Sequence, residues 1–301
     1  MLDARSILLF ALAVLAIAFA CMWFLQLREA RGRGTDKVLP GPIELGIGVV
    51  SDFLDTLGIS SFATTTAMFR TAKAVDDRLL PGTLNVGHAL PTVLQAFIYI
   101  VLVEVDFVTL AALIAASVVG AGLGAGWVAR LSERAVRLGM GVALLLAAVL
   151  IFARLRGLLP GGSDALELRG SLLLIGVLGN FVLGALMTLG IGLYAPCMIL
   201  VSLLGMNPKA AFPIMMGSCA FLMPVASRSF VRQGAYHPRA ALGLTLGGIP
   251  AVWVAAYIVK ELDLNTMRWL VLGVVLYTGV ALLLAAKRRP RPAPAADPAG
   301  C

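Results

Sequence analysis

Asp52 and Asp55 stand three residues apart within an otherwise apolar run. That spacing places both on one face of a helix. Carboxylates at membrane depth mark a functional site by default, and the chemistry they suit is carrying a proton. The plainer alternative is a buried partner for a hydroxyl or a backbone N–H. Just beyond them, Ser60, Ser61, Thr64, Thr65 and Thr66 cluster at the expected start of a second helical arm. A helix that starts inside a membrane has unpaired N–H groups and a positive dipole end. Hydroxyls around such an end make a neutral, donor-rich cradle for an oxyanion. The competing possibility is that each hydroxyl bonds the carbonyl four residues back. Ionised aspartates repel an anion, so Asp55 is expected either to be protonated when an anion is bound or to face away from it.

Further along, Asn85, His88 and Gln95 follow Pro81, and Ser218 and Cys219 follow Pro213. His88 is the one histidine inside an apolar run; a proton relay with Asp55 and a satisfied structural role are both open. Gly192, Tyr194 and Cys197 form a second candidate helix start, with a glycine for close backbone approach, a phenol and a thiol. Cys197 and Cys219 either touch substrate or simply pack between helices as small apolar side chains.

The elements that position these residues must be membrane helices. Of 301 residues, 60% are hydrophobic and 13% charged, against roughly 25% charged in an average soluble domain, and mean hydropathy is +0.95. At about 20 residues per passage, the chain has room for about seven to eleven crossings and none for a sizeable soluble domain. A net charge of +8 would suggest nucleic acid in a soluble protein. Here the Lys and Arg residues sit in short loops between apolar runs, where they read as cytoplasmic loop markers. Four cysteines without CxxC spacing and two histidines indicate neither a disulfide framework nor a metal centre, and no cofactor or nucleotide motif is present.

The apolar segments fall at Ser6–Gln26, Pro42–Phe69, Pro81–Val103, Phe107–Ala129, Val136–Ala153, Arg169–Leu204, Ala210–Phe230, Pro238–Val259 and Met267–Ala286. Two of them are too long for one span and are interrupted by the same four residues, Thr56-Leu57-Gly58-Ile59 and Thr188-Leu189-Gly190-Ile191. Pro81 and Pro213 keep that register, and Leu113 and Leu244 follow one residue off it. The chain therefore divides into an N-terminal membrane anchor and cytoplasmic loop (1–41), repeat one (42–155), an external linker (156–168), repeat two (169–287) and a disordered cytoplasmic tail (288–301). Gly58 and Gly190 are the expected hinges.

Basic clusters at Arg28–Lys37, Arg70–Arg78, Arg130–Arg137, Arg228–Arg239 and Lys287–Arg291 orient the chain with the N-terminus outside and the C-terminus in the cytoplasm. Glu104, Asp106, Glu261 and Asp263 fall outside; Arg154 and Arg156 run against the pattern. Repeat one begins inside and repeat two outside, so the repeats are inverted. The arms of the first interrupted segment, roughly 24 and 15 Å long, are too short to cross a core of about 30 Å, so it is expected to re-enter. The first arm of the second, Arg169–Leu189, is long enough to cross. Inverted repeats with broken helices are the general mark of a transporter with its site at the repeat interface. Gly120-Ala121-Gly122-Leu123-Gly124-Ala125-Gly126 reads as a close helix-packing surface.

The stretches DTLGISSFATTTAMF and GALMTLGIGLYAPCMILVSLLGMNPKAAFPIMMGSCAFLMP resemble the TauE/SafE family of sulfite and organosulfonate exporters, over about residues 42–287. Repeat two, with Gly190, Gly192 and Pro196, fits better; repeat one has Thr64 where repeat two has Pro196. The resemblance implies an all-α inner-membrane permease, each half a broken or re-entrant hairpin plus three transmembrane helices; the one extra N-terminal transmembrane helix, read from the apolar run Ser6–Gln26, and the tail stand outside it. It implies transport, with export the expected direction, of a small anion such as sulfite, thiosulfate, an organosulfonate or a small carboxylate. Substrate contacts are expected from Ser60, Ser61, Thr64, Thr65, Asn85, Gly192, Tyr194, Cys197 and Ser218, and proton coupling from Asp52, Asp55 and His88. The expected surroundings are lipid, with no nucleic acid; a homodimer is allowed. The rivals are a passive anion channel, which has no need of buried carboxylates, and an intramembrane aspartyl protease, which needs two carboxylates facing each other across one site.

Overall fold

The computed structural model describes residues 4–32, 38–128, 133–156, 158, 165–187, 193–261 and 263–287. Among these, the regular elements are helical: α1 (Ala4–Gly32), α2 (Pro42–Thr56), α3 (Ser61–Ala72), α4 (Leu80–Leu102), α5 (Phe107–Val128), α6 (Glu133–Leu155), α7 (Gly170–Met187), α8 (Tyr194–Leu203), α9 (Ala211–Gln233), α10 (Pro238–Glu261) and α11 (Leu264–Lys287). Six described helical spans are long and apolar enough to cross a membrane: Ala4–Glu29, Leu80–Leu102, Gly170–Met187, Pro208–Gln233, Pro238–Val259 and Arg268–Lys287. The outward faces carry Phe10, Phe24, Val108, Leu178, Trp253 and Tyr257, while Asp52, Asp55, His88 and Gln95 are buried. This apolar exterior around a polar interior suits lipid.

The helix starts Leu80, Phe107 and Glu133 recur 131 residues later at Ala211, Pro238 and Leu264. Packing follows the same exchange: α2 lies against α10 as α7 lies against α5, and α4 meets α9 while α6 meets α11. Close contacts give the directions. Gly48 meets Leu244 and Gly248 meets Asp52, so α2 and α10 run parallel. Tyr99 stacks on Phe212 and Gly82 approaches Phe230, so α4 and α9 run antiparallel; Phe152 meets Trp269 and Gly141 meets Leu283, so α6 and α11 do too. Matching helices of the two halves thus point in opposite directions.

The loops collect at two ends. At one, Arg5 donates to the Val105 carbonyl, the Asp106 N–H to Leu166 and the Asn207 N–H to Ala165. At the other, Glu44 pairs with Arg239 at 3.0 Å and the His237 N–H donates to the Thr83 hydroxyl at 2.9 Å. The stretches 103–106, 165–168 and 204–207, expected outside, share the first end, and 38–44, 79–83 and 234–239, expected inside, share the second. α2 starts at the second end and α3 returns to it. α7 starts beside Leu168 and the chain after α8 comes back to Ala165, so the second hairpin also returns to its own end. Its break, 188–192, lies outside the described residues, as do Gly190, Gly192 and the tail from 288. Arg156, an exception to the charge pattern, sits over the Phe152 ring at 6.0 Å. Asp263 caps α11, and hydrogen bonds from the Thr266 hydroxyl and N–H hold its carboxyl below the usual carboxylate range.

Broken and bent backbone finds partners. Pro91 inside α4 cannot donate to the Gly87 carbonyl, and the Thr245 hydroxyl of α10 donates there instead at 2.6 Å. Gly58 joins α2 to α3 with φ +95°, a conformation that costs a side chain dearly.

Two predictions follow from this packing. Single cysteines at Lys73 and Asn207 are expected to label from opposite sides of the membrane; labelling from one side would remove the opposed arrangement of the hairpins. A side chain at Gly184 would run into the backbone of Ser117, whereas Gly273 has open space. Gly184→Leu is therefore expected to cost about 1–3 kcal/mol or more, seen as a lower melting temperature in detergent, while Gly273→Leu melts as wild type; equal melting of the two variants would contradict it.

Candidate functional site

The functional side chains gather where α2 breaks. Asp55, on the last turn of α2, accepts the Ser61 N–H at the start of α3 at 2.6 Å through Oδ1. Its Oδ2 accepts from Gln95 Nε2 of α4 at 3.1 Å. The same Nε2 donates to the Thr56 hydroxyl oxygen at 2.9 Å, and Thr56 donates its own hydrogen to the Asp52 carbonyl at 2.7 Å. That direction leaves Thr56 only an acceptor for Gln95, so the Gln95 carbonyl points away and accepts from Tyr194 of α8 at 3.1 Å. The Tyr99 hydroxyl donates to the Thr56 carbonyl at 3.3 Å. A helix end with no water around it must find partners within the protein, and Asp55 supplies one to α3.

One turn earlier, Asp52 Oδ1 lies 2.9 Å from His88 Nδ1, and His88 Nε2 lies 3.0 Å from the Thr65 hydroxyl. All three side chains are fully buried. A buried carboxylate without a partner is costly, and the imidazole supplies that partner. The other oxygen, Asp52 Oδ2, has no hydrogen-bond partner among the described residues and lies against Gly248 of α10, where a side chain would overlap it. His88 therefore pairs with Asp52, and no hydrogen bond joins it to Asp55 among the described residues.

Beside Asp55 is a cavity of ≈ 20 Å³, with polar walls from Asp55, Ser60, Ser61, Thr92 and Tyr194 and apolar or sulfur walls from Phe62, Met187, Leu193, Cys219 and Met223. That space suits about one water molecule. A far larger vestibule of ≈ 2200 Å³, with Arg70, Lys73, Arg134 and Arg137 along it, opens at the end that carries Lys73 and His237. Ser60, Phe62, Met187 and Met223 line both spaces and stand between them. Asp76 and Asp77 line the vestibule as well, and Asp77 pairs with Arg70 at 2.9 Å.

Of the residues singled out from sequence, Asp55, Ser60, Ser61 and Tyr194 meet at the cavity, and Asp52, Thr65 and His88 form the chain behind it. Thr64 turns its hydroxyl to the Ser61 carbonyl at 2.9 Å, the helix-internal alternative. Asn85 lines the vestibule and donates to the Pro81 carbonyl. Ser218 accepts from Asn180 at 3.3 Å between α7 and α9, and it does not line the cavity. Cys197 is buried in α8 away from the cavity lining; Cys219, 3.6 Å from the Met187 sulfur, lines it. Gln95, noted beside His88 but given no role from sequence, joins the site, and so do Thr56, Thr92, Met187 and Met223. A signal for three neighbours was present: His88, Thr92, Gln95 and Tyr99 recur at the helical period on an apolar helix.

Apolar crossing helices, two opposed broken hairpins and a buried ionisable cluster beside an internal cavity define a multi-pass membrane transport protein. The chain belongs to the sulfite exporter TauE/SafE family, whose model matches residues 1–151 and 172–300. The match extends beyond the 42–287 stretch that carried the resemblance, taking in the first helix and the tail. Comparison with curated proteins and with solved structures returned no match.

His88→Ala would strand the Asp52 carboxylate. The expected loss is about 3–5 kcal/mol on unfolding in detergent near neutral pH, with most of it restored in the double variant His88→Ala/Asp52→Asn. Equal losses in single and double variants would show that the pair adds nothing beyond packing.

Proposed function

We propose that this protein is a secondary transporter that exports a small anion in company with protons, by alternating access around the two hairpins. Sulfite, thiosulfate, an organosulfonate and a small carboxylate are the candidate substrates. The observation that carries the reading is Asp55: a buried carboxylate at a helix break, lining a cavity that Ser60, Phe62, Met187 and Met223 separate from a large vestibule with basic and acidic side chains along it. The family membership supports transport of an anion, and the buried acids support proton coupling. The opposed helix directions support two inverted halves, and the basic loops support an inner-membrane orientation with the vestibule on the cytoplasmic side and the N-terminus outside.

The rivals fit less well. A passive channel has no use for carboxylates held by dedicated partners. An aspartyl protease needs its two carboxylates turned toward each other, whereas Asp52 faces His88 and Asp55 faces Ser61 and Gln95. The Asp52–His88–Thr65 chain has the connectivity of a hydrolase triad, but neither Thr65 nor His88 lines the cavity or the vestibule.

In proteoliposomes, Asp55→Asn is expected to reduce pH-gradient-driven flux of sulfite or thiosulfate to background while the variant still inserts and purifies. Unchanged gradient-driven flux in that variant would reject proton coupling through Asp55.

A further inference from the structure

The Asp55 carboxylate sits as a bound anion would: one oxygen on a helix-start N–H, the other on a side-chain amide, at the wall of the cavity. We infer that this is the substrate's own seat, held by Asp55 as a tethered surrogate, and that an oxyanion takes it only when Asp55 accepts a proton and lets go of Ser61 and Gln95. The inference rests on the transporter reading above and specifies its binding step.

The cavity wall carries Ser61 and Tyr194 beside Asp55, with the Gln95 amide behind it, and the Ser61 N–H, the Gln95 amide and the Tyr194 hydroxyl are each engaged in the chain that ends on Asp55. A second anion beside an ionised Asp55 would find those donors taken and would meet like charge in a site out of water. Once Asp55 is protonated it is neutral: its contacts to Ser61 and Gln95 lose their charge-assisted strength, and a hydrogen on Oδ2 sets a donor beside the Gln95 Nε2 donor. Gln95 cannot simply exchange its amide ends, because Thr56 spends its hydrogen on the Asp52 carbonyl and needs a donor opposite. With its hold on Asp55 weakened, the amide is free to swing toward an incoming anion, which opens the seat and releases Tyr194 of the second hairpin from the first. Gln95 is thus a substrate-positioning residue, and the proton travels with the anion in the same direction.

The titratable groups facing Asp55 are Asp52 on its own helix, His88 of α4, Tyr194 of α8 and Cys219 of α9. From α3 the group that faces Asp55 is Ser61, and α10 presents Gly248 to the Asp52 side. Asp52 and His88 are engaged with each other, which leaves Asp55 as the group whose proton gates the donors.

The test uses the full chain in detergent and in proteoliposomes, with thiosulfate and methanesulfonate as probes, because neither changes charge between about pH 5.5 and about pH 7.5. Counterflow by the wild type comes first: failure to exchange any of sulfite, thiosulfate, methanesulfonate and acetate overturns the transporter reading and this inference with it. Given exchange, probe affinity is expected to weaken with rising pH, approaching about tenfold per pH unit, the slope for one linked proton. Binding in weak buffer is expected to take up about one proton per anion, the reciprocal of that linkage. Asp55→Asn is expected to flatten the pH dependence to less than about twofold across the range. Ser61→Pro removes the N–H while suiting the first position of a helix, and is expected to weaken binding about tenfold or more at both pH values, roughly one lost charge-assisted hydrogen bond. Gln95→Leu is expected to weaken binding at both as well. Exchange with a flat wild-type profile, a retained slope in Asp55→Asn, or wild-type affinity in Ser61→Pro would each overturn the shared seat while leaving the transporter reading standing.

Discussion

A helix that starts inside a membrane leaves N–H groups that lipid cannot satisfy, and the structure is organised around the answer to that constraint. At the start of α3 the answer is the Asp55 carboxylate on the Ser61 N–H. Because the carboxylate is itself expensive out of water, it draws in Gln95, and Gln95 draws in Thr56 and Tyr194. A single backbone break therefore recruits side chains from α2, α4 and α8, tying the hairpin of one half to that of the other. Asp52, a turn earlier, repeats the logic with His88 and Thr65.

The two halves share a backbone plan and differ in chemistry. Taking the repeat offsets of 131 to 132 residues along the sequence, Asp52, Asp55 and His88 correspond to Gly184, Met187 and Cys219. The acids and imidazole of the first half thus face glycine, thioether and thiol in the second. Gly184 permits α7 to touch the backbone of α5 at Ser117, the place where its counterpart Asp52 needs Gly248 of α10 to make room. Met187 and Cys219 give the cavity a soft, uncharged wall opposite the polar one. Placing the buried acids and the imidazole in one half confines the expensive burial of charge to a single set of partners.

Helix order was legible because membrane segments announce themselves by length and apolarity, and because the TLGI repeat and basic loops are local signals. Every expected segment has its helix or helix pair, with ends displaced by a few residues. The acids at 52 and 55 were legible for the same reason, as charges where charge is costly. Their division of labour was not. Equal spacing on one helix face says nothing of which acid meets His88, and that depends on how α4 is rotated against α2. Thr64, Ser218 and Cys197 had the right chemistry in the right stretch, yet helix rotation turns them to a carbonyl, to Asn180 and into packing.

By itself the sequence determined a membrane protein of two related halves with broken helices and buried acids, because hydropathy, charge placement and the repeat are properties of residues in order. The tertiary structure alone decided the pairing of Asp52 with His88, the seating of Asp55 on α3 and the bridge from Gln95 to Tyr194. Those contacts join residues 36, 6 and 99 positions apart. They exist because close glycine contacts, such as Gly48 on α10 and Gly184 on α5, set the depth and rotation at which the helices meet.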